Sequence, residues 1–409
     1  MSDASSDRPD ATDPDPRGGD PRLPTVSAEP PPVAGASDVT VQEARPVEAA
    51  PRSWTRIAAK VASGAVALFL FVLALQLMKN GAGELAPSIR QSALFENGAS
   101  TLGAGWLGAY LVLSGSPIAA VSLGLFSGGA ITKLQTLTML SGSRLGASFI
   151  VLLVGFLYAV RNRGANRQES VGMGILALTL TAIAYLPGMT LGYWLLRSGL
   201  LDGIRWRTSG DVTSVVDFVW GPFLNLATDH LPGLLLLPLG LGVILVSFKL
   251  LDRVLPQVSS DSVAGERAQR LKRPWPMFFI GCAVATLTLS VSVALTVLVP
   301  LASRGYVKRE ESIPYIMGAN ITTLADTLVA AMLLRNAVAV QIVLAEAIGV
   351  FLVSMVYLAL VYGPVKRGII GLNDWLIASN RRLWMFVLGL FVLPLILFTS
   401  GLWLAPFTG

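Results

Sequence analysis

Residues 171–196 contain no charged side chain, and five other stretches of the chain are nearly as bare. A helix crosses the hydrocarbon core of a bilayer in about 20 residues, so each of these stretches is long enough to span it. Residues 57–78 carry only Lys60, near their start. Residues 231–248 have only His230 at their edge, 277–303 and 383–407 hold no charge, and 337–363 are interrupted by Glu346. In hydrocarbon the backbone must satisfy its own polar groups, and a helix does so within one segment. Charged residues make up 14% of the chain, where a soluble domain carries about 25%. The fold expected is all-α and polytopic, with the lipid bilayer as its surroundings.

Several classes are disfavoured. One cysteine, Cys282, excludes an intrachain disulfide, and one histidine excludes a multi-histidine metal centre. With no Gly-x-Ser-x-Gly elbow and no His/Glu metal motif, neither an enzyme nor a bound cofactor or resident metal is expected. The net charge of +6 is no sign of nucleic acid, because the basic residues cluster beside spans. Three basic loops stand out: Arg161, Arg163 and Arg167 against Glu169; residues 249–275; and Lys366, Arg367, Arg381 and Arg382 against Asp374. The positive-inside rule puts all three in the cytoplasm, with the N-terminus, in a multi-pass protein of the plasma membrane.

The expected organisation begins with a disordered, acidic, Pro-rich tail at 1–52, where ten acids face five arginines. A first membrane helix and polar connector occupy 53–96. One repeat covers 97–160, connecting spans and basic loops fill 161–272, a second repeat covers 273–362, and 363–409 hold the last basic loop and span.

The repeats rest on a pattern that occurs twice. Leu113-Ser114-Gly115-Ser116 is followed by Gly142-Ser143-Arg144-Leu145. Further along, Leu289-Ser290-Val291-Ser292 is followed by Gly318-Ala319-Asn320-Ile321. The spacing from Leu113 to Gly142 equals that from Leu289 to Gly318, so one constant offset relates the two copies. Pro117, Gly124, Gly128, Gly129, Lys133 and Gln135 make the first copy read as two half-helices meeting at a polar turn. Pro300, Arg304, Gly305, Lys308 and Pro314 give the second copy the same plan. Paired interruptions of this kind mark the binding site of a secondary transporter built from repeats. We expect broken or re-entrant helices in two repeats of inverted topology. Inversion needs an odd number of crossings from the start of one copy to the start of the next. Pro222, Pro232 and Pro238 let 218–250 be counted in more than one way.

In order and spacing the two copies resemble the type II sodium–phosphate cotransporter family. That family carries Gln-Ser-Ser-Ser in each repeat, followed by Gly-Ala-Asn-Ile-Gly-Thr-Thr. The closer copy here is Ser290-Val291-Ser292 with Gly318-Ala319-Asn320-Ile321-Thr322-Thr323. Asn97-Gly98 and Arg273-Pro274, each at the same distance ahead of its motif, are similar to the family's Asn-Pro. The chain departs from the pattern: leucine replaces glutamine at 113 and 289, the central serines give way to Gly115 and Val291, and Arg144 replaces an asparagine. The resemblance implies sodium-coupled symport of inorganic phosphate or a related oxyanion by alternating access. Ser114, Ser116, Ser290, Ser292, Asn320, Thr322 and Thr323 are its candidate ligands. Another small anion, or a scaffold or sensor that kept the fold, is the alternative.

Arg144 and Asp326 are read from their own chemistry. A charge at membrane depth costs about 2.5–3.5 kcal/mol on insertion scales, so it faces a cavity or a partner. Arg144 can grip an oxyanion through two N–H groups, and Asp326 can hold sodium or a proton. Alternatively the two pair only with each other. Glu346 is either a proton or cation site or a tertiary partner of Arg335. Glu96 and Asn97 read as a solvated loop, His230 as a helix-end residue, and Trp194, Trp206, Trp220, Trp375 and Trp384 as interfacial anchors.

Overall fold

Every regular element in the described residues is helical. The computed structural model describes residues 54–162, 166–204, 210–254 and 273–404. The expected disordered tail, Arg163, Trp206 and residues 255–272 of the second basic loop lie outside them. The helices are α1 (Trp54–Gln91), α2 (Gly98–Val112), α3 (Gly115–Ser127), α4 (Lys133–Arg161), α5 (Arg167–Arg197), α6 (Gly210–His230) and α7 (Gly233–Val254). After these come α8 (Pro274–Thr288), α9 (Val291–Thr296), α10 (Leu298–Ser303), α11 (Arg309–Thr322) and α12 (Leu324–Leu333). The chain closes with α13 (Ala337–Ala359), α14 (Tyr362–Ile377), α15 (Asn380–Phe398) and α16 (Ser400–Leu404). Seven stretches among the described residues are long and apolar enough to cross a membrane: α1 from Ala58, α4, α5, α7, Arg309–Leu333, α13 and α15. On α15 Leu388, Phe391, Val392, Leu393, Leu395 and Ile396 are exposed, as a lipid-facing surface would be.

Two expectations about spans are corrected. Residues 79–91 are not a connector but the last turns of α1. Their polar side chains alternate with packed positions: Ala82 lies against Gly128 at the end of α3, Ala86 is buried, and a Cβ on Gly81 would lie 2.7 Å from Leu237 N of α7. Residues 277–303 are not one span, because the chain breaks at Leu289.

That break has the same form as the one at Leu113. Leu113 (φ 54°, ψ 33°) and Leu289 (φ 47°, ψ 28°) are both left-handed, each ending a 15-residue helix. Ser114 and Ser290 follow in extended conformation. Gly129 and Gly305, related by the same offset, turn the chain again at φ 76° and 75°. A left-handed L-residue costs about 1–2 kcal/mol, and a β-branched one is worse. Leu113 is 52% exposed, so truncation loses little packing. Leu113→Gly is expected to match or exceed wild-type thermal stability in micelles, and Leu113→Ile to lose at least about 1 kcal/mol. An isoleucine variant as stable as wild type would show that this position is not left-handed.

Close contacts set the helix directions. α2 and α4 run in parallel, with Gly98 against Thr138, Leu102 against Gly142 and Trp106 against Gly146. α8 and α11 do the same, with Phe278 and Cys282 against Gly318 and the Thr322 hydroxyl donating to Cys282 O at 3.2 Å. α5 runs antiparallel to α4 (Gly155 against Ser170, Gly174 against Leu152) and to α13 (Gly188 against Val350, Gly192 against Ala345). α7 runs antiparallel to α1, from Gly233 beside Glu84 to Val254 beside Gly64. α11 starts where α5 starts, joined by Arg309 Nε–Glu169 Oε2 at 3.0 Å. α4 starts at the opposite end, where Gln135 Nε2 donates to Phe95 O just ahead of α2.

Candidate functional site

The middle of α4 carries an arginine into the protein interior. Close packing of α4 on α2 and α5 leaves Arg144 only 1% exposed. Its Nη2 lies 3.2 Å from Asp326 Oδ1 on α12 and also donates to the Thr327 hydroxyl. Its Nη1 donates to the Ser116 hydroxyl in the first turn of α3 at 3.5 Å. Thr327 reinforces the carboxylate, donating to Asp326 Oδ1 from its own backbone N at 2.5 Å and its hydroxyl at 2.9 Å. Burying two charges is tolerable only when they are paired and hydrogen-bonded. This pair meets that condition in part: Arg144 Nε and Asp326 Oδ2 have no hydrogen-bond partner among the described residues. These two atoms are the unsatisfied polar positions of the pair.

Two further groups adjoin it. One turn before Arg144, the Ser141 hydroxyl donates to Glu346 Oε1 on α13 at 2.6 Å, and Glu346 is fully buried. On α11, Asn320 Nδ2 donates to the Thr181 hydroxyl of α5 at 3.2 Å. Asn320 O accepts from the Tyr185 hydroxyl at 2.7 Å and from Thr323 Oγ1 at 3.1 Å. Asn320 and Arg144 both stand two positions after the glycine of their motif. Each of the two therefore sits at the same place in its copy of the pattern and bonds to helices of the other half.

The predicted residues divide accordingly. Ser116, Arg144 and Asp326 come together at one point, and Asn320 and Thr323 gather against α5. Ser290 accepts from Val293 N at 3.3 Å and caps α9. The Thr322 hydroxyl goes to the carbonyls of Cys282 and Gly318, where it ties α11 to α8. Ser114 holds the cap position of α3 without a side-chain cap bond, and Ser292 lies half-buried in the first turn of α9. Thr327, Tyr185, Thr181 and Ser141 were not anticipated. Thr327 follows a buried acid, a usable signal; the others sit in apolar sequence that offers none.

Some expectations change. Asn97 is not in a solvated loop: its side chain accepts from Ser100 N at 2.8 Å, capping α2, and from Ser400 Oγ at 3.1 Å. Trp220 donates to Phe69 O at 2.9 Å and stacks on Phe69, so its indole packs against α1. His230 Nδ1 lies 3.0 Å from Leu226 O at the end of α6, a helix-end role as expected. Among the described residues no group of three His, Cys, Asp or Glu side chains is placed to hold a metal.

A charged cluster lies at the end of the bundle where α5 and α11 begin. Besides Glu169, Arg309 reaches Asp374 Oδ1 at 2.8 Å and Asn373 Oδ1 at 3.2 Å on α14, and Lys366 pairs with Glu310. A cavity of about 390 Å³ opens beside them, lined by Asn166, Glu169, Lys308, Arg309, Glu310 and Asp374 among others.

Comparison with known proteins bears on the second half of the chain. Residues 243–400 match the family model described as Na+/Pi-cotransporter, a range that contains the whole second copy of the pattern with Asn320, Asp326 and Glu346. No curated protein and no solved structure matches the chain.

Proposed function

We propose that this protein, whose residues 243–400 match the family model described as Na+/Pi-cotransporter, is a sodium-coupled symporter of inorganic phosphate that works by alternating access. The observation that carries the reading is Arg144. Its side chain links α4 to both α3 and α12, and its Nε–H has no acceptor among the described residues. Phosphate would take that N–H together with the backbone N–H groups that open α3, where a helix N-terminus favours an anion. Sodium would sit at the free oxygen of Asp326, offsetting the phosphate charge. Asn320, Thr323 and the serines at the helix breaks would complete the path.

The helix directions support two inverted repeats. α2–α3 and α4 start at one end of the bundle, and α8–α10 and α11 at the other. On that reading the first repeat runs through α5, the counterpart of α13, and so extends beyond 160. The basic residues at the ends of α4 and α7 and around α14 share one end, which the positive-inside rule assigns to the cytoplasm together with the start of α1. The Arg309 cluster would then close the cytoplasmic side, and alternating access would require its bonds to Glu169 to break.

The test is uptake of labelled phosphate into proteoliposomes, with and without an inward sodium gradient. Wild type is expected to accumulate phosphate only with the gradient. Arg144→Lys, which keeps the charge but not the planar fork, should lose at least about tenfold, a 1.4 kcal/mol effect on recognition. Uptake undiminished in that variant would make Arg144 structural. No uptake by folded wild type would sink phosphate and leave another small anion, or a scaffold or sensor.

A further inference from the structure

The pairing of Arg144 with Asp326 leaves a third buried ionisable group without a counter-charge. Glu346 is fully buried on α13, and no salt bridge reaches it among the described residues. Its Oε1 accepts from Ser141, while its Oε2 has no hydrogen-bond partner among the described residues. Two titratable groups on the packed helices interact with it, Arg144 of α4 and Tyr185 of α5, and Asp326 of α12 is held by Arg144. Arg144 is engaged with Asp326, and the Tyr185 hydroxyl donates to Asn320 O. α3 has no titratable residue, and Tyr315 of α11 donates elsewhere, to Ala294 O. An ionised carboxylate with one neutral donor is far too costly at this depth, whereas a neutral acid is not. The cluster as a whole is one positive charge short. A sodium ion would need several oxygen ligands, and Ser141 is the one hydrogen-bond partner of the carboxyl among the described residues.

We propose that Glu346 is a proton-carrying site that couples transport to the proton gradient, in addition to the sodium site of the reading above, on which this inference rests. In the closed arrangement Glu346 holds its proton on Oε2. When the cavity opens to one side, the O–H bond breaks and the proton passes to water. The carboxylate left behind attracts Arg144, which stands one turn from Ser141 on the same face of α4, and so loosens its hold on Asp326. Reprotonation restores the starting pair.

Two measurements test it. Infrared difference spectra of wild type against Glu346→Gln, in choline chloride at neutral pH, should show a protonated-carboxyl C=O band that the variant lacks. Absence of that band would overturn the proposal, and so would its saturable loss on replacing choline by sodium, which would make this a sodium site. In proteoliposomes with equal sodium on both sides, a pH gradient of one unit should raise wild-type phosphate accumulation by up to about tenfold per coupled proton. Glu346→Gln should show no such response, read as the ratio of its own uptake with and without the pH gradient. A response unchanged in the variant would overturn the proposal. If wild type moves no phosphate at all, the transport reading fails and the infrared band alone decides whether Glu346 holds a proton.

Discussion

Asp326→Asn is expected to cost about 3–5 kcal/mol of stability and to abolish transport, because it leaves the Arg144 charge buried and unpaired. Arg144 is 1% and Asp326 8% exposed, so water cannot replace the missing partner, and Ser116 and Thr327 offer only neutral acceptors. Arg144→Met should cost a similar amount for the mirror-image reason. The double variant Arg144→Met/Asp326→Leu should recover most of that loss, since replacing a whole buried pair by apolar side chains is often neutral or stabilising. It should still move no phosphate. Thermal unfolding in micelles of wild type, Arg144→Met, Asp326→Leu and the double variant gives the coupling energy directly. Single losses that simply add in the double variant would mean that the two charges do not stabilise each other. Transport by the double variant would remove the pair from the mechanism.

Much of the framework could be read from residues alone, for a physical reason. Hydrocarbon imposes a minimum length and near-absence of charge on every span, and 171–196 meets both without context. The breaks were harder. Leucine is a poor choice for a left-handed position, so nothing in Leu113 or Leu289 announces the turn; only the recurrence at a fixed spacing does. Arg144 and Asp326 drew notice because charge at depth is costly, but their pairing between distant parts of the chain was only one of two readings. Thr181, Tyr185 and Ser141 escaped notice because a lone hydroxyl in a membrane helix usually bonds to its own backbone. Asn97 was misplaced because a cap and a solvated loop share the same residue types. The long α1 is read short because its last turns mix charged residues with small ones that pack on α3 and α7.

Gly105 and Gly281 give the second large effect. A Cβ on Gly105 would lie 2.1 Å from Met139 O, and one on Gly281 2.0 Å from Tyr315 O. The two glycines are related by the offset that separates the two copies, and so are the two carbonyls. The same contact therefore clamps each short helix, α2 or α8, to the long helix beside it. Backbone carbonyls cannot rotate away as a flexible side chain can. Alanine at either position must push the two helices apart, at a cost of about 1–3 kcal/mol or more. Valine should prevent accumulation of folded protein. Gly389 on α15 is the control, because a Cβ there meets nothing within 4 Å. Gly389→Ala should gain roughly 0.8–1.0 kcal/mol of helix propensity. Gly105→Ala as benign as Gly389→Ala would show that α2 and α4 do not touch as described. A loss at Gly105 with none at Gly281 would break the equivalence of the two copies, and with it the support for a transport site shared between inverted halves.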